Sequence, residues 1–247
     1  MTLSPMLLRR IFAAAGGLVL AAAALSASAQ EATIRKVLPA RYPTLGAITA
    51  VNPSPVAGVY EVAIDSKILY TDAGGDYLFE GQLIATRDKR NLTQDHIDAI
   101  NAVAWRQLPF SAAIVRKIGS GARKMVVFAD PNCGFCRKLE SDTIPKLKDV
   151  TIYTFLIPIL AEDSAPKAKN VVCAKDPLAA WNAVMQEHVW APPAPASCDA
   201  KVIDQALRFT LAKGVHATPT IFLPNGKLVP SALGADDLEP LLAASQQ

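Results

Sequence analysis

The stretch FADPNCGFCRKLESD, Phe128 to Asp142, places Cys133 and Cys136 at C-x-x-C spacing between an apolar run and an amphipathic segment. Before it, KMVVFAD reads as a buried strand; the residues from Cys133 to Leu147 read as a helix, and VTIYTFL as a further strand. This is βαβ order. At a helix start two thiols so spaced can close one disulfide, while the first stays at the exposed N-terminal end. Unpaired N–H groups and the helix dipole there favour a thiolate, lowering the Cys133 pKa by about one to several units. Cys136, a turn inside, is the more buried and serves as the resolving thiol. A Cys133 thiolate attacking a disulfide makes a mixed disulfide. Resolution by the substrate's own thiol gives isomerisation, and resolution by Cys136 gives net reduction.

Two rival readings of the pair stay open. A structural zinc site usually needs four ligands, yet no second C-x-x-C exists and the histidines are only His96, His188 and His216. A composite site would have to recruit all four cysteines. A structural staple is weak because closing so small a loop removes little chain entropy. Cys173 and Cys198 invite a different reading, since neither opens a helix in a C-x-x-C. A bond between them closes a loop worth roughly 3.5 kcal/mol by chain entropy, so they read as a structural disulfide, with a second redox pair as the alternative. Thr218-Pro219 stands ahead of TIFL, where a proline marks a strand's first residue or a cis turn.

Working outward, Arg9 and Arg10 precede an apolar run from Ile11 to Leu25 that ends in Ala27-Ser28-Ala29. That is the pattern of a secretory signal peptide over residues 1–29, cut after about Ala29, with a retained anchor or a twin-arginine signal as rivals. Its removal takes two arginines and no acids, so the formal charge falls from +3 to +1. No basic block points to nucleic acid. All four cysteines follow residue 130, so the first part of the exported chain must fold without a disulfide.

Residues 30–90 hold a short helical spacing at Ile34, Val37 and Leu38, then the β-prone runs GVYEVAI, KILYT and DYLFEGQLI. They predict a small antiparallel meander with too little interior to be comfortably stable alone. A second copy pairing through edge strands is the simplest partner, and packing on its own C-terminal domain the alternative. Residues 91–109 predict a linker helix capped by Thr93, with Ile97, Ile100, Val103, Ala104 and Leu108 on one face. Residues 110–247 form the second domain, with helical sequence from Glu162 to about Lys213 broken by APPAPAS, a hairpin turning at Asn225-Gly226, and a last helix from Asp236 to Ala244. His216, Lys138 and Glu140 read as solvated side chains.

Taken in order, these motifs resemble a family. Strand, Cys133-Gly134-Phe135-Cys136, helix, strand, helical insertion and Thr218-Pro219 before a hairpin resemble the thioredoxin fold, and more closely the periplasmic thiol:disulfide interchange proteins of the DsbC and DsbG group. SPVAGVYEV with ILYTDAGGDYLFEGQLI is similar to their dimerisation domain. VCAKDPLAAWNAVM running to APASCD is similar to their helical insertion, and GVHATPTIFLPNGKLVP to their cis-proline segment.

The resemblance implies an α+β protein: an N-terminal β-meander dimerisation domain, a linker helix, and a thioredoxin-like domain with a helical insertion. It implies a V-shaped homodimer that binds misfolded, wrongly bonded exported proteins in the periplasm and is kept reduced by a membrane reductase of the DsbD type. It further implies that Pro219 is cis, that Thr218, Pro219, Gly134 and Phe135 meet the substrate beside Cys133, and that Cys173 pairs with Cys198. No cofactor and no metal are expected. Gly134-Phe135 is nearer the Gly-Tyr of the DsbC branch than the Pro-Tyr of the DsbG branch. Two departures are Phe135 in place of that tyrosine and VPSALGADDLE in place of a Gly-aromatic sequence after the hairpin. A DsbG-like reductase of sulfenylated cysteines and a redox-independent chaperone are the alternative functions.

Overall fold

The computed structural model describes residues 28–64 and 67–246. The signal-peptide reading of residues 1–29 therefore lies outside the described residues except at Ser28 and Ala29. Among the described residues no helix is long and apolar enough to cross a membrane. The chain divides into two compact units, one ending at Ile84 and the other beginning at Ala85.

In the first unit, helix α1 over residues 28–41 lies with a four-stranded antiparallel sheet in the order β1-β2-β3-β4. The strands are β1 (Ile48–Pro53), β2 (Val59–Ile64), β3 (Lys67–Asp72) and β4 (Leu78–Glu80). Ile34 and Leu38, one helical turn apart, bury against Val51, Val62, Ile64 and Leu69. The register pairs Val62 with Leu69 and Glu61 with Tyr70. Asp72 shapes the turn into β4 by accepting from the backbone N–H groups of Gly74, Asp76 and Tyr77. DYLFEGQLI is thus mostly not strand: β4 is three exposed residues at the sheet edge. ITAVNP adds β1, a strand that alternation alone signals weakly.

A two-stranded ribbon that begins at the boundary (β5, Ile84–Ala85; β6, Arg90–Asn91) leads into α2 (Leu92–Trp105) of the second unit. The cap is Asn91, whose side chain accepts from Gln94 N at 3.0 Å, and not Thr93, which is buried inside the first turn. Of the expected stripe, Ala104 and Leu108 are buried and Ile97 and Ile100 half-buried, and the buried face of α2 is wider than that stripe. Thr93, Asn101, Ala104 and Trp105 are buried, while Val103 is exposed. The hairpin turn at Gly226 abuts the α2 backbone: a Cβ at Gly226 would fall 1.7 Å from the Asp98 carbonyl oxygen and 2.5 Å from the Ala102 nitrogen. With φ at +92°, Gly226→Ala is expected to lose about 3 kcal/mol or more of stability. Thermal melting checks this, and a variant melting with the parent would show that hairpin and helix separate freely.

A five-stranded sheet, ordered β11-β10-β8-β9-β7, carries the rest of this unit. Its strands are β7 (Ile114–Ile118), β8 (Arg123–Ala129), β9 (Val150–Leu156), β10 (Thr220–Phe222) and β11 (Leu228–Val229). β8 and β9 are parallel, and the other pairings are antiparallel. Buried on both faces, β8 reads as one apolar run. Met125, Val127 and Ala129 face the layer holding Cys133, Cys136 and Trp181, whereas Val126 and Phe128 face Trp105, Phe155 and Phe222. The helix expected from Cys133 to Leu147 is broken into α3 (Gly134–Lys138), a turn of π-helix over Leu139–Thr143 and a 3₁₀ turn over Ile144–Lys146. Pro145 has no N–H to continue the α-helical ladder. The insertion comprises α4 (Ser164–Val172), α5 (Pro177–Asn182), a π turn over Ala183–Glu187 and α6 (Lys201–Ala212); α7 (Ala235–Ala244) packs Leu238 and Leu242 into the core.

Candidate active site

The loop leaving β8 is fixed before it reaches the cysteines. Asp130, fully buried, accepts from Asn132 N and Ser164 Oγ on one oxygen and from Ile159 N and Leu160 N on the other, all within 2.8–3.0 Å. Its carboxylate joins the ends of two parallel strands to the start of α4. Asn132 donates to Asp163 and Ser164 and accepts from Lys167 Nζ at 2.7 Å. Cys133 is the N-cap of α3, its sulfur accepting from Cys136 N at 3.0 Å.

Cys133 and Cys136 are free thiols. The Cys133 sulfur also donates to the Thr218 carbonyl at 3.2 Å, and the Thr218–Pro219 peptide bond is cis. Strand β10 begins after the proline, at Thr220, so the missing N–H is outside the ladder. This corrects one expectation. Cys133 is 2% exposed because its sulfur turns into the cis-proline loop, not out of the helix end; Phe135 projects instead, at 69%. A Cβ at Gly134 would meet nothing within 4 Å, so the space outside the pair is open.

The two thiols are driven apart electrically. Hydrogen bonding from the Cys136 thiol chiefly, with contributions from Thr218 and the N–H groups of Cys136 and Phe135, lowers the Cys133 pKa to about 6 against the opposing effect of burial. Burial, reinforced by the neighbouring sulfur, pushes the Cys136 thiol far up. The partner thiol thus exceeds the helix end as the cause, in keeping with an α3 of five residues. Cys173, at the end of α4, and Cys198, ahead of α6, form a disulfide with Cα atoms 6.0 Å apart. Among the described residues no group of three or more His, Cys, Asp or Glu is placed to hold a metal.

His216 and Lys138 are exposed. Glu140 is not the solvated residue that its charged neighbours suggest. It is 2% exposed, accepts from Trp181 Nε1 at 2.6 Å and pairs with Arg116 Nη1 at 2.6 Å. Asp130, Asn132 and Lys167 were not singled out in the sequence, where an acid closing a buried strand before Pro-Asn was the only signal.

Comparison with known proteins adds the context. Residues 25–94 match the disulfide bond isomerase protein N-terminal domain, and residues 110–246 the thioredoxin-like domain. The probable thiol:disulfide interchange protein DsbC of Bordetella pertussis is 38% identical over 195 residues, covering 79% of this chain and 68% of the relative. DsbC of Escherichia coli K12 is 28% identical over 204 residues, covering 80% and 82%. A linker-deletion mutant of ScsC from Proteus mirabilis has the same fold, with a TM-score of 0.51 at 19% identity over 62% of this chain and 83% of that one. Matched in both domains, and at this identity over most of a relative's length, the chain belongs to the DsbC family of thiol:disulfide interchange proteins.

Proposed function

We propose that the protein is an exported, homodimeric disulfide isomerase in which Cys133 is the nucleophile and Cys136 the resolving thiol. The observation that carries this reading is the unequal pair: a Cys133 sulfur with a pKa of about 6, beside a cis-proline loop and a Cys136 thiol held protonated by burial. The Cys133 thiolate attacks one sulfur of a substrate disulfide, forming the mixed disulfide as the other sulfur leaves as a thiolate. That thiolate, or another of the substrate, can attack elsewhere and release Cys133 with no net electron transfer. Alternatively Cys136 loses its proton and attacks Cys133. Two electrons then pass to the substrate, and the enzyme's disulfide must be reduced by an external dithiol, for which a membrane reductase of the DsbD type is the partner.

Thr218, Pro219, Gly134 and Phe135 are the candidate contacts to substrate backbone; Gly134 and Phe135 are exposed, Thr218 half-buried and Pro219 buried. The Cys173–Cys198 bond is structural in this reading. Substrates are misfolded, disulfide-containing proteins of the periplasm. Pairing between copies is supported by the exposed edge strand β4 with Tyr77 and Phe79, and gel filtration measures it. Reduced protein should speed the refolding of a scrambled disulfide protein beyond what free glutathione achieves; no acceleration would sink the reading.

A pH profile tests the nucleophile. Alkylation of reduced protein by iodoacetamide is expected to titrate with a midpoint at about pH 6, Cys136 remaining unmodified through neutrality. A midpoint near the ordinary thiol value of about 8.5 would remove the basis of the assignment. Because the fold lowers this pKa, the unfolded chain holds more protons between about pH 6 and the ordinary thiol range. Stability of the reduced form therefore rises with pH across that window, and is lost as pH falls through about 6.

A further inference from the structure

Helix α4 touches the active-site loop at one end and a solvent-facing tryptophan at its middle. Near its start, the Ser164 hydroxyl meets Asp130 and Asn132. One turn on, Lys167 donates to Asn132 Oδ1 at 2.7 Å, pairs with Asp163 at 2.7 Å, and sets its ammonium 3.8 Å from the centre of the Trp190 ring. Asn132 immediately precedes Cys133, so two side chains lead from the nucleophile's neighbour to the indole. The segment bearing Trp190 is itself anchored to α4, by Asn170 Oδ1 accepting from Ala194 N at 2.8 Å and by the Cys173–Cys198 bond. Yet Trp190 remains 45% exposed, with Val189 at 55% and Leu160 at 51%; the Leu160 N–H is held by the same Asp130. A large apolar ring fixed by a cation and left open to water, continuous with the reactive loop, is arranged to be covered by something else.

We propose that Trp190, positioned by Lys167, is a landing surface for an apolar side chain of an extended substrate polypeptide, so that it selects proteins over small disulfides. The inference rests on the interchange reading above. Its occupant is polypeptide, because a compact charged disulfide such as oxidised glutathione carries no apolar side chain to bury the ring.

The test uses the full chain, its Trp190→Ala and Trp190→Phe variants, and two substrates: a scrambled disulfide protein and oxidised glutathione. Trp190→Ala should raise KM for the protein about five- to tenfold, change its kcat by less than about twofold, and react with glutathione disulfide as the parent does. Trp190→Phe should restore most of the protein KM, and the Cys133 alkylation midpoint should stay in place in both variants. Equal KM values for the protein would overturn the proposal, as would a loss of equal size on both substrates or a moved midpoint, which report a damaged site. A parent inactive on both substrates would instead reject the interchange reading, and this inference with it.

Discussion

Replacing Cys133 by alanine leaves a folded protein that reshuffles disulfides no faster than the free thiols around it. The expected loss is at least about two orders of magnitude, because the remaining free thiol, Cys136, is held protonated by burial where Cys133 is a ready thiolate. The fold survives, since the change deletes only two hydrogen bonds of the sulfur, the N-cap bond from Cys136 N and the bond to the Thr218 carbonyl, each worth about 1 kcal/mol. Cys136→Ser makes the complementary case. Attack by Cys133 proceeds, the internal escape route is gone, and mixed disulfides with substrate accumulate on non-reducing gels, while net reduction disappears. Scrambled-protein refolding and reduction assays run on both variants check the division of labour. A Cys133→Ala protein that still isomerises would transfer the nucleophile's role elsewhere.

Glu140→Ala is expected to cost the second unit about 3–5 kcal/mol, the scale of a buried ion pair stripped of one partner. Arg116 would keep its charge with 17% of its side chain exposed, its other hydrogen bond being to Asn182, and Trp181 Nε1 would lose its acceptor. Urea unfolding followed by tryptophan fluorescence measures this. Replacing both partners by apolar residues of similar volume, Arg116→Met with Glu140→Leu, should recover most of the loss, since the charge and its desolvation leave together. A single-variant change below about 1 kcal/mol would mean that water reaches the pair.

This pair also shows where sequence reading stops. The strand, C-x-x-C, helix and strand order was legible because β8 is buried on both faces from Met125 on and so is written as one apolar run, MVVFA. The nearness of Thr218-Pro219 to Cys133 came from family resemblance, as nothing local in either segment encodes a contact across 85 positions. Glu140 sits among Arg137, Lys138 and Asp142, which makes a solvated face the natural reading; its partners lie on β7 and α5, and only the closed sheet brings them there. Asn91 displaced Thr93 as a cap for a similar reason. Both residue types can cap, but Thr93 lies on the buried face of α2, and Asn91 is the residue whose side chain accepts from Gln94 N. β1 is as long as β2 and β3, but Asn52 and Pro53 break its apolar pattern, and Arg116-Lys117 breaks that of β7, so alternation declares neither.

The order of the four cysteines has a bearing on how this protein itself matures. Four thiols allow three pairings. The observed bond joins Cys173 to Cys198, leaving Cys133 beside Cys136, so each cysteine's partner is its next neighbour along the chain. A chain delivered from its N-terminus presents the members of each pair in succession, with no stranger between them. Joining thiols in order of arrival therefore gives the native pairing at once, and a corrector of other proteins' bonds needs no corrector for its own.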